Sequence, residues 1–237
     1  MKNLTLLNFA SLLALLLASG PSHAARPMVT DDARLTKSGS CQVESWWRAN
    51  SDSNEVWALP ACNPNGNFEL TLGAAISKVD HQQTSSDTIL QAKTIFKDLK
   101  TNSWGYGLGL GTASHSNDHY PGPNGVGSTY FYVPISHSFN DDQLIVHSNI
   151  GYIHYRHSSQ DAVTWGIGAE YKVNPELLII AETFGDHRNK PFAQAGIRYS
   201  LIPDILQIDT TVGHQLDDRH VDWLSIGVRY TPNKFFN

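Results

Sequence analysis

The sequence predicts one antiparallel transmembrane β-barrel of about 12 strands. Three observations point to this all-β fold class. The chain begins with a secretory leader, its later part alternates apolar and polar residues at every second position, and its connections alternate between tight turns and longer polar loops. Together these features are typical of bacterial outer-membrane barrels, which are exported and cross the bilayer with strands.

The first 24 residues are the predicted signal peptide. Lys2 supplies a positive start, an apolar run covers residues 4–18, and the small residues Ser22 and Ala24 stand where a signal peptidase reads the chain. The run is shorter than the roughly 20 apolar residues of a spanning helix. We therefore expect cleavage after Ala24 and localisation in the outer membrane, with a retained anchor as the alternative.

The chain is divided into four predicted parts: a signal peptide (1–24), a polar periplasmic N-terminal segment without a domain of its own (25–40), the barrel (41–231) and a C-terminal tail (232–237). The sequence has 17 Lys and Arg against 22 Asp and Glu, a net charge of −5. This acidic balance argues against a nucleic-acid partner, which would favour a basic face.

The segment from Val163 to Val173 shows the strand pattern most clearly. Trp165 and Ile167 fall on one side and Gly166 on the other, because successive side chains of a strand point to opposite faces. The same alternation predicts strands that begin near Cys41, Asn54, Phe68, Thr88, Trp104, Thr129, Gln143, Val163, Leu177, Phe192, Ile205 and Asp222. No stretch after the leader has a convincing helical period.

The connections support a membrane barrel with short periplasmic turns and longer extracellular loops. Tight turns are predicted at 140–142, 174–176 and 202–204, and longer loops at 80–86, 115–128, 157–161, 185–189 and 216–220. Aromatic residues on the outward face group toward the two ends of the strands, as headgroup-level girdles would. The alternative is a soluble lipocalin-like barrel or a β-sandwich, in which the apolar face points inward.

Cys41 begins the first predicted strand and Cys62 ends the second, so both lie at the periplasmic end of neighbouring strands. In an exported protein two cysteines favour a disulfide. We expect this bridge, with two free thiols as the alternative.

Several stretches resemble the outer-membrane barrel proteins grouped with the phenol meta-cleavage-pathway family. They are residues 26–33, 41–46, 58–64, 70–73, 181–186, 191–199, 202–204 and 206–209. The likeness runs over nearly the whole mature chain. It implies a barrel with a transport role, for aromatic or other small hydrophobic compounds, and it supplies no catalytic residues.

Inward-facing charges are the first candidate site. They are Glu44, Arg48, Glu170, Glu182, Arg198, Asp209 and Arg229. All but Arg48 fall on consecutive strands and form a predicted ring in which opposite charges are neighbours. Charges in a narrow lumen are costly unless they are paired or hydrated, so the ring is either a structural network or a charged constriction of a pore.

A glycine wall is the second candidate. It consists of Gly105, Gly107, Gly109 and Gly111, which all point inward. Bare backbone either leaves room for a solute or lets large side chains approach closely. Tyr130, Tyr132 and Trp46 face inward and could fill the space, so packing is the favoured interpretation.

His157 and Ser159 are a weak third candidate. Their spacing is similar to the His-x-Ser pair of outer-membrane phospholipases and lipid A deacylases, in which a base activates a hydroxyl. The asparagine usual after the serine is missing, because Gln160 stands there. His154 and His157 lack a clear third ligand, so no metal site is predicted.

We therefore expect no enzyme and no cofactor, but a narrow channel or uptake protein for small solutes. Its expected partners are outer-membrane lipids, the barrel-assembly machinery and a small-molecule solute. A membrane lipid hydrolase and a sealed structural barrel remain the alternatives.

Overall fold

The computed structural model describes residues 28–50, 53–79, 84–115, 127–156, 158–216 and 222–232. The predicted signal peptide, His157 and residues 233–237 of the predicted tail lie outside the described residues.

Twelve strands make up the described structure, and each begins within three residues of its predicted start. They are β1 (Ser40–Asn50), β2 (Ser53–Asn63), β3 (Glu69–Val79), β4 (Ser85–Lys97), β5 (Trp104–His115), β6 (Ser128–Phe139), β7 (Leu144–Tyr155), β8 (Gln160–Lys172), β9 (Leu177–Asp186), β10 (Phe192–Ile202), β11 (Leu206–Gln215) and β12 (Asp222–Tyr230).

The strands close into one antiparallel barrel. Each strand pairs with its sequence neighbours, and β1 pairs with β12 from Val43 opposite Tyr230 to Asn50 opposite Trp223. Closure leaves no strand edge unpaired. The predicted fold class is confirmed. Among the residues described here, no helix is long and apolar enough to cross a membrane.

Apolar side chains face outward from the barrel and polar side chains face the lumen, the reverse of a soluble barrel. The outward positions of the strands expose large apolar side chains such as Leu72, Ile76 and Ile167, whereas inward Glu170 and Arg198 are buried. An outward apolar face around a polar interior is favourable where the surroundings are lipid. This arrangement decides against the soluble alternatives, which would bury the apolar face.

The two rims differ, as predicted. At the short-turn rim, Asn140, Asp141 and Asp142 join β6 to β7 with φ angles of 51°, 55° and 63°. Asn and Asp tolerate this left-handed conformation better than most residues, which suits them to a tight connection. The opposite end is called the long-loop rim below. The expected Cys41–Cys62 disulfide joins β1 and β2 at the short-turn rim.

Residues 28–36, called the lumen segment below, lie inside the barrel. We expected residues 25–40 to form a periplasmic lead-in, but Val29 contacts Glu182 and Thr36 contacts Glu69, both on inward faces. The segment runs from the short-turn rim, where β1 begins, toward the middle of the barrel. Its backbone amides give the buried carboxylates hydrogen-bond donors, which buried charges need.

Candidate functional site

The innermost end of the lumen segment is held by Glu182 on β9. One carboxylate oxygen accepts a hydrogen bond from the Val29 amide at 2.6 Å and the other from the Thr30 amide at 2.7 Å. The side-chain amide of Gln194 also donates to Glu182. Hydrogen bonds to a charged acceptor are among the stronger kinds, so this carboxylate is a firm anchor.

Asp31 is fixed from three sides. Its backbone N–H donates to Asn149 Oδ1 at 2.7 Å, and its carbonyl accepts from Asn149 Nδ2 at 2.8 Å. Lys93 Nζ lies 3.0 Å from both carboxylate oxygens, and the Tyr132 hydroxyl donates to one of them. The segment is therefore tied to β4, β6 and β7 at one residue.

Nearer the short-turn rim the segment contacts β2 and β3 as well as β6. The Ala33 amide donates to Ser136 Oγ at 2.8 Å, and the Thr36 amide donates to Glu69 Oε2 at 2.6 Å. Asn63 Nδ2 donates to the Thr36 carbonyl at 2.7 Å. These contacts on β2, β3 and β6 fix the place at which the chain enters the lumen.

The predicted charged ring is resolved into pairs. Arg198 Nη1 lies 2.7 Å from Glu170 Oε1 and is opposite Asp209 in the strand register, and Glu44 is opposite Arg229. All five side chains are buried. Their opposite charges are interleaved as expected, which is the arrangement that buried charges require.

Two predicted members of the candidate site lie apart from these pairs. Glu182 serves the lumen segment, as described above. Arg48 pairs with Glu55 at 3.1 Å, and its guanidinium carbon lies 5.6 Å from the centre of the Trp223 ring. Both contacts belong to the half of the lumen near the long-loop rim.

Two glycines of the glycine wall, Gly109 and Gly111, are covered by tyrosine rings, whereas Trp46 stacks on Trp57 and covers none of the four. Gly109 is opposite Tyr132 and Gly111 is opposite Tyr130 in the register, and a Cβ atom at Gly111 would lie 2.6 Å from the Tyr130 ring. The small residues therefore make room for two tyrosine rings. At Gly105, a Cβ atom would meet the backbone at Leu99 instead.

Sequence reasoning missed Asn149 and Ser136, which hold the lumen segment. Neither carries a charge, and their alternation only places them on the inward face. It also missed the segment itself, because its polar composition resembles that of an ordinary linker.

Two large cavities lie along the described part of the lumen. The main cavity, of about 450 Å³, extends from Tyr155 near the long-loop rim to Gln42 near the short-turn rim. The mouth cavity, of about 530 Å³, lies at the short-turn rim beside Leu99 in the β4–β5 turn and Asp142 in the β6–β7 turn. Arg34, Leu35 and Thr36 border both cavities. The lumen segment therefore forms the partition between them.

Aromatic faces line the main cavity. Tyr130 and Tyr132 stack with their ring centres 6.4 Å apart, and Phe184 and Phe192 stack at 5.5 Å. Phe192 also contacts Trp223 at 5.9 Å. Charged side chains such as Asp31, Lys93 and Glu170 line the same cavity, so flat aromatic faces lie there beside charged and polar groups.

Ser159 is exposed in the turn between β7 and β8, with a φ angle of 51°. Its predicted partner His157 lies outside the described residues. The neighbouring His154 Nδ1 lies 2.7 Å from Asp161 Oδ1. Within the described ranges, no three His, Cys, Asp or Glu side chains are grouped to hold a metal ion.

Known proteins share this architecture. The model of one family, described as uncharacterised conserved protein UCP029691, matches residues 12–231. The structure of the KdgM porin in complex with disordered oligogalacturonate is similar with a TM-score of 0.63 and 14% identity, over 81% of this chain and 99% of that one. The NanC porin matches with a TM-score of 0.60 and 14% identity, over 80% and 98%.

Outer membrane phospholipase A from Escherichia coli has a TM-score of 0.50 and 11% identity, over 83% of this chain and 93% of that one. No curated protein matches the sequence significantly. At these identities the solved structures show a shared fold and no more. Neither they nor the family model bear on the resemblance to the phenol meta-cleavage-pathway family, which stays a prediction.

Proposed function

We propose that this chain, which belongs to the family described as uncharacterised conserved protein UCP029691, is an outer-membrane channel for small solutes. One observation carries the proposal. A main cavity and a mouth cavity follow one another along the lumen and meet at Arg34, Leu35 and Thr36. Cavities that follow one another along the lumen favour a passage over a barrel that is filled throughout.

The solute would travel beside the lumen segment, between it and the wall formed by β1 to β4. Gln42, Leu59, Thr71 and Gln91 border the main cavity on that side. Most of the buried charges are occupied by each other or by the segment, so they shape the passage more than they bind the solute. The shared porin-type fold is compatible with this role.

We propose that the preferred solutes are small aromatic or hydrophobic compounds. The stacked pairs Tyr130–Tyr132 and Phe184–Phe192 supply flat faces at the main cavity. Planar rings pack on such faces in offset or edge-to-face arrangements, which gain about 0.5–1.5 kcal/mol a pair beyond area burial. This gain would favour aromatic solutes over aliphatic ones of similar size.

Swelling of proteoliposomes tests both parts of the proposal. Vesicles containing the refolded mature protein are diluted into phenylalanine or leucine, which cross a pure bilayer slowly. We expect both solutes to enter and phenylalanine to enter faster. Phe184→Leu should remove the preference, whereas Phe96→Leu, on the outward face, should not. Vesicles that swell no faster than protein-free ones would refute the channel, and equal rates for both solutes would refute the preference alone.

A further inference from the structure

The partition between the two cavities is short. Of the lumen segment, only Arg34, Leu35 and Thr36 border both the main cavity and the mouth cavity. Any solute that moves from one cavity to the other must therefore pass these three residues. Their side chains differ in kind: a guanidinium, an isobutyl group and a hydroxyl-bearing group.

Leu35 has anchored neighbours on both sides. Arg34 Nη1 lies 3.7 Å from Glu170 Oε2 on β8 and 4.0 Å from Asp32 Oδ2. The Thr36 amide donates to Glu69 Oε2 at 2.6 Å, and its carbonyl accepts from Asn63 Nδ2 at 2.7 Å. The segment is thus tied to β8 by the residue before Leu35 and to β2 and β3 by the residue after it.

The Leu35 side chain has no polar group to form a hydrogen bond, and it is half-buried. Leu59 and Ala61 are inward apolar residues of β2 that border the main cavity with it. Ile89 of β4 is a further inward apolar residue at the main cavity, but of these apolar side chains only Leu35 borders both cavities. An apolar narrowing in a pore excludes water and hydrated ions more strongly than its width alone would.

We propose that Leu35 determines the size and polarity of the solutes that pass. This inference rests on the proposed channel function and names the residue that controls it. Arg34 and Thr36 position the segment, and Leu35 forms the apolar narrowing between the cavities. Uncharged solutes would pass this point more readily than hydrated ions.

Single-channel recording of the full mature protein in planar bilayers tests the role of Leu35. In Leu35→Ser, a small polar side chain replaces the apolar one, and we expect a conductance at least about threefold above wild type because ions no longer meet an apolar narrowing. Leu35→Trp should lower the conductance below wild type. The matched control is Leu99→Ser, which removes a leucine that borders the mouth cavity only.

A thiol at the same position gives a second readout. The two native cysteines are joined in a disulfide, so Leu35→Cys adds the single free thiol of the chain. A small cationic methanethiosulfonate reagent added from either side should react and reduce the current, and a reducing agent should restore it. Reaction from both sides is expected because Leu35 borders both cavities.

The outcomes separate this inference from the channel itself. Leu35 variants that conduct like wild type, in a protein that does conduct, would place the narrowing elsewhere and leave the channel intact. A thiol reached from one side only would also contradict the inference. Currents in Leu35→Ser with a silent wild type would support it, because the apolar narrowing would then be closed to ions. Silence in every folded variant would refute both.

Discussion

The two halves of the narrow lumen are lined by different kinds of side chain. Toward the short-turn rim, the space is filled by the lumen segment and by buried charges such as Arg198 and Glu170. Toward the long-loop rim, aromatic pairs such as Phe184 and Phe192 line the part of the main cavity that lies there. Buried charges need partners, and the segment provides them. Aromatic faces need none, so they can leave a space open.

The largest expected effect belongs to the charged half. Arg198→Met should destabilise the barrel by about 3–5 kcal/mol, because Glu170 loses the guanidinium at 2.7 Å and stays buried. Urea unfolding in lipid vesicles, followed by tryptophan fluorescence, measures the loss. Thr164→Val, at the main cavity, should change the stability by less than about 1 kcal/mol. Similar losses for the two variants would remove the contrast between the halves.

The next effect concerns the hold of the barrel on the lumen segment. Glu182→Gln keeps the shape of the side chain but removes the charge that accepts the Val29 and Thr30 amides. We expect the segment to loosen by about 1.5–3 kcal/mol, the usual worth of hydrogen bonds to a charged group. Hydrogen exchange of these two amides should become faster.

Glu55→Gln is the matched control for this prediction. Glu55 is also an inward glutamate with a partner, Arg48, but that partner belongs to the barrel wall. Exchange at Val29 and Thr30 should therefore stay at the wild-type rate. Equal acceleration by both variants would mean that Glu182 has no special hold on the segment.

A smaller loss of stability is expected where the two halves of the lumen meet. Gly109→Ala would place a methyl group against the Tyr132 ring and push its hydroxyl away from Asp31. Overpacking of this kind costs about 1–3 kcal/mol. Gly73→Ala is milder, because its Cβ would lie 3.1 Å from the Leu59 side chain. Equal melting temperatures for Gly109→Ala and wild type would show that the tyrosine does not need the glycine.

The smallest effect lies outside the barrel wall, in the turn at Asp142. Burial raises the pKa of Asp142, but hydrogen bonds from Ser138 and Thr101 outweigh burial and leave the pKa below its ordinary value. A lowered pKa stabilises the folded state above the ordinary pKa, and this contribution is lost as the pH falls through the lowered value. Since the group is only partly buried, at the protein surface, the contribution is small.

Thermal unfolding at pH 7 and at pH 3 measures the effect of Asp142. In Asp142→Asn the melting temperature should fall less between the two pH values than in wild type, by about 1 °C. Asp204→Asn, in another turn of the same rim, is the comparison variant. A larger pH response in Asp142→Asn would contradict the assignment.

The wall of the barrel could be predicted because the face of each strand residue depends only on its neighbours in the sequence. Alternation with a period of two assigns each residue to a face, so the placements of Trp165, Glu170 and Arg198 follow from a few neighbours. The disulfide also followed from two strand ends at one rim. For the same reason, the covering of Gly109 by Tyr132 was within reach of the sequence.

The contents of the lumen could not be predicted in the same way. Val29 and Glu182 are 153 positions apart, and no periodic pattern links them. The residues that hold the segment, such as Asn149 and Ser136, resemble ordinary inward polar residues until the segment is placed. Filling a lumen depends on which side chains face each other across the barrel, and alternation carries no information about that.

The placement of the lumen segment is tested most directly by an engineered disulfide. A Cβ atom built at Gly166 lies 3.3 Å from Thr30 Cβ, close to the separation of about 3.8 Å in disulfides. The double variant Thr30→Cys and Gly166→Cys is inserted into membranes, oxidised and mapped by mass spectrometry, beside a control that pairs Thr30→Cys with Gly213→Cys. We expect a bridge between positions 30 and 166 and none in the control. Equal, low yields from both pairs would contradict a segment seated inside the barrel.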